Sequence, residues 1–284
     1  MPLPDNFDLD EFVGRVLAED LGSGGDATSA ATIDASARFT AQMNARQPLV
    51  IAGMEIAAAF FRALDPEVRF EQSVQDGERV EHGTSLMRLS GNARALLAAE
   101  RSALNTLQHL SGIATLTRRY VDAIAGTNAV LLDTRKTIPG LRILEKYASL
   151  MGGAKNHRMR LDDGLLIKDN HVAVCGGVAE AVRRAKAANT GLEVQVEVDS
   201  IDQIEPAIAA GADRLLLDNM DPAKLREAVR LVSGRVPLEA SGGVTLETIR
   251  FLAETGVNFI SVGRITQSAP AVDIGLDYDL HKPQ

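Results

Sequence analysis

Residues 192–263 read LEVQVEVDSIDQIEPAIAAGADRLLLDNMDPAKLREAVRLVSGRVPLEASGGVTLETIRFLAETGVNFISVG, and this stretch decides the fold. Four short apolar runs recur in it: LEVQVEVDS (192–200), RLLLDN (214–219), VPLEAS (236–241) and FISVG (259–263). Between them lie helical patterns, IDQIEPAIAAG (201–211), DPAKLREAVRLVSG (221–234) and TLETIRFLAETG (245–256). Near-continuous apolar strands joined by crossover helices imply a parallel sheet covered on both faces.

Working towards the N-terminus, the same rhythm holds in AVLLDT (129–134), GLRILEKYASLMGG (140–153), LLIKD (165–169) and GVAEAVRRAKAANTG (177–191). Six strands are convincing, and KNHRM (155–159) is a candidate seventh. The units span about twenty residues, fewer than the ~30 per unit of a full (β/α)8 barrel. No Gly-x-Gly-x-x-Gly turn follows the first strand, which disfavours an open doubly wound sheet. The reading is α/β, with an incomplete (β/α) barrel over 113–269.

Before this the elements mix without βα alternation. DLDEFVGRVLAED (8–20) is a helix with Phe12, Val13, Val16 and Leu17 on one face and Asp8 or Asp10 at its start. RFTAQMNARQPLVIAG (38–53), VRFEQSV (68–74) and SLMRLSG (85–91) are strand-like, and MEIAAAFFRAL (54–64) is helical. These predict an N-terminal α+β sandwich domain over 1–112, on which the tail 270–284 could pack. A long helical pattern runs from Ala95 to Ala125 with Leu97, Leu104, Leu107, Ile113, Leu116 and Val121 in its stripe. Gly126 is a C-terminal stop, and Gly112 a candidate break between two helices. DGERVEHGTSLMRLSG (76–91) has the spacing of a biotinyl or lipoyl carrier hairpin. Those carriers need a lysine, and none precedes Lys136, so the segment reads as a structural hairpin turning at Gly83.

With 45% hydrophobic and 24% charged residues among 284, the chain is globular rather than disordered. A pI near 5.2 argues against nucleic acid as a partner. Cys175 is the only cysteine, which excludes an intrachain disulfide and makes a reducing cytosol the default. The acidic start MPLPDNFDLDEF does not resemble a signal peptide, and no apolar run approaches the ~18 residues that span a bilayer. The expectation is a cytoplasmic protein without membrane contact.

Against a net charge of -8, Arg135, Lys136, Lys155, His157, Arg158, Arg160, Lys168 and His171 crowd between Leu131 and His171. Clustered like charges repel unless carboxylates or a bound anion offset them, so a small polyanionic ligand is the economical explanation. Polar residues sit at the strand ends, where βα loops of a barrel build active sites. Asp199, Ser200 and Asp221 suit helix caps. Glu197 and Asp218 lie earlier, inside their strands, and want a metal or cationic partner. ASGGV (240–244) and SVGRIT (261–266) close the last two strands with glycines, as phosphate cradles do. His82 and His109 read as surface or packing residues, Arg142 and Lys146 with Glu145 beside them as helix surface, and Lys155 fits either class.

Several long motifs resemble the quinolinate phosphoribosyltransferase family. They are EDLGSGGDATS (19–29), ERSALNTLQHLSGIAT (100–115), DTRKTIPGLRILEKYA (133–148), NHRMRLDDGLLIKDNHV (156–172), VEVDS (196–200), LLLDNM (215–220), LEASGGV (238–244) and SVGRITQSAPAVDIGLDY (261–278), in order over most of the chain. The resemblance implies a homodimer with sites at the subunit interface, and transfer of phosphoribosyl from phosphoribosyl pyrophosphate to quinolinate with Mg²⁺. The products are nicotinate mononucleotide, pyrophosphate and CO2, in NAD biosynthesis. It implies that Arg135, His157 and Arg158 bind the quinolinate carboxylates, with Arg101 reaching in from the other subunit. Lys136 and Lys168 would meet carboxylate or phosphate oxygens. Glu197 and Asp218 would serve the ribose hydroxyls and Mg²⁺, and Ser241, Gly242, Gly243 and Gly263 the 5′-phosphate. Two positions depart from the family: Gln267 stands where histidine is usual, removing one cationic donor, and Arg160 where glycine is usual. Alternatives are a related transferase for another aromatic acid, a Schiff-base lyase using Lys168, or a non-catalytic phosphate binder.

Overall fold

The computed structural model describes residues 3–279. The chain divides into two compact units: Met1–Leu116, Ile143–Gly152 and Ala269–Gln284 form one, Thr117–Arg142 and Gly153–Ser268 the other.

The first unit contains helices α1 (Leu9–Leu21), α2 (Ala27–Thr32) and α3 (Met54–Leu64), and strands β1 (Arg38–Ala45), β2 (Leu49–Val50), β3 (Arg69–Gln72), β4 (Arg79–Val80) and β5 (Ser85–Asn92). Helix α4 (Ala93–Ala123) follows, and the division between units falls within it. Asp8 is the residue that caps α1, accepting from Glu11 N at 2.9 Å. β1 alternates in burial, with Ala41, Met43 and Ala45 facing inward, as a strand with one covered face must. Its sheet is antiparallel, in the order β12-β1-β5-β3, where β12 (Ile274–Asp279) comes from the chain's far end. Of the segment 270–284, residues 280–284 lie outside the described residues. The core of the unit is Phe60 and Phe61 of α3 with Phe12 of α1, whose ring meets Phe60 edge-on at 6.1 Å.

Four expectations change here. Gly112 does not break α4, which is one helix of 31 residues. A Cβ at Gly112 would lie 2.2 Å from Pro270 O, so the glycine admits a passing chain rather than a kink. In the stripe of α4 it is Leu96, not Leu97, that is fully buried. Gly83 turns the chain at φ +83, but β4 and β5 do not form a hairpin: β4 pairs with β2, and β5 with β1 and β3. Finally Glu145 and Lys146, on α5 (Arg142–Met151), are both 0% exposed, not helix surface. Glu145 is met by His109 Nε2 at 2.9 Å, which makes burial of the acid tolerable and gives His109 a packing role.

The second unit is built on strands β6 (Val130–Leu132), β7 (Leu165–Ile167), β8 (Val194–Val198), β9 (Arg214–Asp218), β10 (Leu238–Ser241) and β11 (Phe259–Ser261). All pair in parallel, in the order β6-β11-β10-β9-β8-β7. Helices α6 (Asp169–Cys175), α7 (Val178–Ala187), α8 (Ile204–Ala209), α9 (Pro222–Val232) and α10 (Ile249–Ala253) fill crossovers, and α11 (Arg264–Gln267) follows the last strand. KNHRM is not a seventh strand; it contributes a single parallel bridge, Lys155 to Leu132, along β6. The arrangement is the incomplete barrel read from the sequence, with β6 and β7 as its two edges. Asp221 caps α9 through bonds from Ala223 N and Lys224 N, both 2.9 Å, whereas Ser200 makes no side-chain cap bond.

Candidate active site

The C-terminal ends of the six strands open on one cavity of about 650 Å³, and its wall can be built strand by strand. β6 is followed by Asp133, which is 0% exposed. Its carboxylate accepts from His157 N at 2.8 Å and from the Asn156 amide. The acid therefore spends itself holding the 155–158 loop, and Thr134, Arg135 and Lys136 beyond it line the cavity. Lys136 is tied from behind: Thr266 Oγ donates to its carbonyl at 2.7 Å. Its stem lies where a side chain on Gly263 would be, 2.6 Å from the Cβ position, so Gly263 exists to let the lysine pass.

His157 and Arg158 form the next stretch of wall. Arg158 donates through Nη1 to Gly164 O at 2.9 Å, which aims the guanidinium. Burial first, then the nearby Arg135, pulls the Arg158 guanidinium below its ordinary value. Arg135 carries a buried Nε with no hydrogen-bond partner. Two neighbouring arginines on one cavity wall, one of them with a buried Nε left without a partner, suit an anion. His157 lines the cavity, but both ring nitrogens meet protein: Nδ1 accepts from Arg158 N at 2.7 Å and Nε2 faces Gln195 Oε1 at 3.1 Å.

Lys168, at the end of β7, also reaches the cavity. Its own N–H donates to His171 Nδ1 at 2.9 Å, so His171 reaches back from the first turn of α6 to its N-cap and does not join the cation wall. Across the floor stand Glu197 of β8 and Asp218 of β9. Burial first, and then Asp218, raises the Glu197 carboxyl above its ordinary value, with Lys168 opposing. Asn219 Nδ2 holds Asp218 Oδ2 at 2.6 Å.

Ser241, Gly242 and Gly243 follow β10, and Gly263 with Gln267 follows β11, all on the same cavity. Gly242 has φ +97, and a Cβ there would sit 2.2 Å from Asn219 Oδ1. Two loops thus interlock, and only glycine fits between them.

Of the residues singled out in the sequence, Arg135, Lys136, His157, Arg158, Lys168, Glu197, Asp218, Ser241, Gly242, Gly243, Gly263 and Gln267 all line this cavity. Arg101 does not; it is an exposed residue of α4. Arg160 is exposed and bonded to Asp162 at 2.8 Å, Lys155 is exposed, and Arg142 donates to Thr137 Oγ at 3.0 Å, tying loop residues together. Sequence reading set Asp133 and Glu239 among the polar residues of the strand ends without giving them a role, and it missed Gln195 and Arg264. Gln195 is buried inside the barrel, and period-2 alternation along β8 was the available signal. Arg264 lines the cavity beside Gly263.

Known proteins were compared with the chain. Residues 26–111 match the N-terminal domain, and residues 113–277 the C-terminal domain, of quinolinate phosphoribosyl transferase. The nicotinate-nucleotide pyrophosphorylase [carboxylating] of Mycobacterium leprae is 44% identical, over 94% of this chain and 96% of its own. The chloroplastic enzyme of that name from Arabidopsis thaliana is 39% identical over 98% of this chain and 85% of its own. The structure of the nicotinate-nucleotide pyrophosphorylase from Francisella tularensis superposes with a TM-score of 0.93 at 38% identity, covering 98% of this chain and 100% of that one. Matching domains in order, near-complete coverage and a common fold show that the chain belongs to the quinolinate phosphoribosyltransferase family.

Proposed function

We propose that this cavity transfers phosphoribosyl from phosphoribosyl pyrophosphate to quinolinate and releases CO2, the decarboxylating reaction of NAD biosynthesis. The observation that carries the reading is the pairing of Arg135 with Arg158. Both are partly desolvated, mutually repelling, and set on the same cavity as Glu197, Asp218 and the glycine loops. A planar dicarboxylate satisfies two guanidiniums at once.

In this reading Arg135 and Arg158 hold the quinolinate carboxylates. Lys136 and Lys168 neutralise carboxylate and pyrophosphate oxygens as point charges. Ser241, Gly242, Gly243 and Gly263 take the 5′-phosphate on backbone N–H groups, with Gln267 as a neutral donor beside them. Arg101, exposed in its own chain, would complete the site of a partner subunit in a homodimer.

Glu197 and Asp218 fit Mg²⁺. They are hard oxygen donors at the ends of adjacent strands, and Glu197 is raised partly by its neighbour, a strain that a cation relieves. Two carboxylates are too few for a closed cage and suit an ion that keeps substrate oxygens and waters as ligands. When bound, the ion would neutralise charge on the pyrophosphate.

The protein's own part is positioning. The pyridine nitrogen bonds to ribose C1 as the C1–O bond to pyrophosphate breaks, and positive charge develops on the ribose. Glu197 and Asp218 lie on the cavity to offset it. The alkylated ring is then an electron sink. The carbon–carbon bond to the adjacent carboxylate breaks with its pair left on the ring carbon, which takes a proton from water as CO2 departs. No side chain is required as a base, so most of the rate comes from holding both substrates in line.

The test is purified protein with Mg²⁺, phosphoribosyl pyrophosphate and either quinolinate or nicotinate. CO2 release with quinolinate and no product with nicotinate is expected; the reverse pattern overturns the assignment.

A further inference from the structure

Beneath the two arginines, the barrel interior carries a line of polar side chains whose donors all point one way. The main-chain N–H of Arg158 donates to Nδ1 of His157 at 2.7 Å. An N–H can donate only to a ring nitrogen that bears no proton, so this geometry gives His157 an accepting Nδ1 and sets its ring hydrogen on Nε2. That hydrogen faces Gln195 Oε1 at 3.1 Å, and Gln195 Nε2 in turn donates to Glu239 Oε2 at 2.8 Å. The opposite orientation of the Gln195 amide would set N–H against N–H, so the chain of bonds has one consistent direction.

Its terminus is unusual. Glu239 is 0% exposed and Gln195 4% exposed. Glu239 Oε2 lies 3.6 Å from His157 Nε2 and 3.6 Å from Arg214 Nη1. Arg214 is itself fixed by stacking on Phe259, 4.4 Å from the ring centroid. Burial pushes the Glu239 carboxyl up, but the facing His157, by hydrogen bond and charge, and then the donors of Ser261 and Gln195 outweigh it and hold the group below its ordinary value. A buried anion of this kind is expensive, and the adjacent strand positions would take an apolar side chain at lower cost.

We propose that Glu239 is a positioning residue for the quinolinate subsite: through Gln195 it locks His157 in the Nε2–H tautomer, whose Nδ1 anchors the backbone of Arg158. The proposal rests on the quinolinate reading of the cavity. Arg158 is then held at its main chain by His157 and at its guanidinium by Gly164 O. His157 orients the arginine through its Nδ1.

Two measurements test this. Histidine-¹⁵N NMR of the free wild-type protein, assigned with His157→Asn, is expected to show an unprotonated Nδ1 and a protonated Nε2 at neutral pH. An imidazolium or an Nδ1–H tautomer overturns the proposal without any dependence on a variant's folding. Glu239→Gln is expected to raise the KM for quinolinate roughly ten- to a hundredfold, with kcat and the KM for phosphoribosyl pyrophosphate within about twofold of wild type, as for a misplaced positioning group. It should also lose the fixed tautomer. An unchanged quinolinate KM, or a parallel change in both KM values with a lowered Tm, marks a merely structural carboxylate and overturns it. Calorimetry of quinolinate on wild type is the separate check. No binding there overturns the substrate reading and the subsite role together, whereas the imidazole spectrum reports the tautomer lock on its own.

Discussion

Replacing Gly242 by alanine should damage phosphoribosyl pyrophosphate binding by displacing Asn219 on the neighbouring loop. At φ +97 an alanine pays a backbone cost of about 1–3 kcal/mol. Its Cβ would then sit 2.2 Å from Oδ1, 2.5 Å from Cγ and 2.9 Å from the backbone N of Asn219. Asn219 cannot simply retreat. Its N–H donates to Ser241 O at 2.9 Å, and its own φ of +53 already places it in a restricted region. The side chain must swing instead, which breaks the 2.6 Å bond from Nδ2 to Asp218 Oδ2. Overpacking of this kind adds about 1–3 kcal/mol, and a hydrogen bond to a charged group about 1.5–3 kcal/mol. Spread between stability and binding, these costs predict a KM for phosphoribosyl pyrophosphate raised roughly ten- to a hundredfold, at about 1.4 kcal/mol per tenfold. The quinolinate Kd, measured by calorimetry without the second substrate, should stay within about threefold, because Arg135 follows β6 and Arg158 lies in the 155–158 loop, away from the β9 and β10 ends. Gly243→Ala is the internal control: its φ is +58, but its Cβ would meet nothing within 4 Å, so it carries backbone strain alone. If Gly242→Ala and Gly243→Ala give the same KM values, the interlock with Asn219 does not shape this site, and the reasoning fails.

Other outcomes follow from the same geometry. Arg135→Ala and Arg158→Ala should each lower kcat/KM for quinolinate roughly ten- to a hundredfold or more while circular dichroism stays native; a variant with near-normal kcat/KM would remove that arginine from the carboxylate site. Glu197 titrates above its ordinary value, so the stability it contributes is full below the unfolded carboxyl value and is lost as pH rises through the folded one. Glu197→Gln should therefore melt above wild type at neutral pH, be nearly inactive, and lose that pH dependence; melting curves over about pH 4 to 8 decide it. Gly112→Ala places a Cβ 2.2 Å from Pro270 O, so it should destabilise by about 1–3 kcal/mol despite alanine's better helix propensity, and a raised Tm would contradict the packing reading.

Much of this site was legible before any coordinates. The βα rhythm located six strand ends, and the rule that barrel chemistry gathers at that rim was enough to choose Glu197 and Asp218 over the cap Asp221. What failed was local reading of residues whose environment is set from afar. Gly112 looked like a helix breaker because propensity counts backbone entropy, whereas its role is to admit Pro270, more than 150 positions later in the chain. Glu145 and Lys146 looked like surface because charge is normally solvated, yet both are fully buried, with His109 supplying a partner for the acid. The hairpin at Gly83 had the correct turn and the wrong pairing, because strand partners depend on register across the sheet and not on the turn alone.

The sequence by itself determined the alternation of elements, the incomplete barrel, the cluster of cations and the two glycine loops, because period, composition and turn chemistry act over a few neighbouring residues. Only the tertiary structure decided how that cluster divides. It placed Arg135, Lys136, Arg158 and Lys168 on the cavity, turned Arg160 out to Asp162, and gave His171 to a helix end. It also set Glu239 and Gln195 under His157, fixing a tautomer that no spacing rule encodes. The physical reason is that a charged group's role depends on which donors and acceptors lie within about 3 Å of it. In this chain those partners arrive from strands separated by tens of residues.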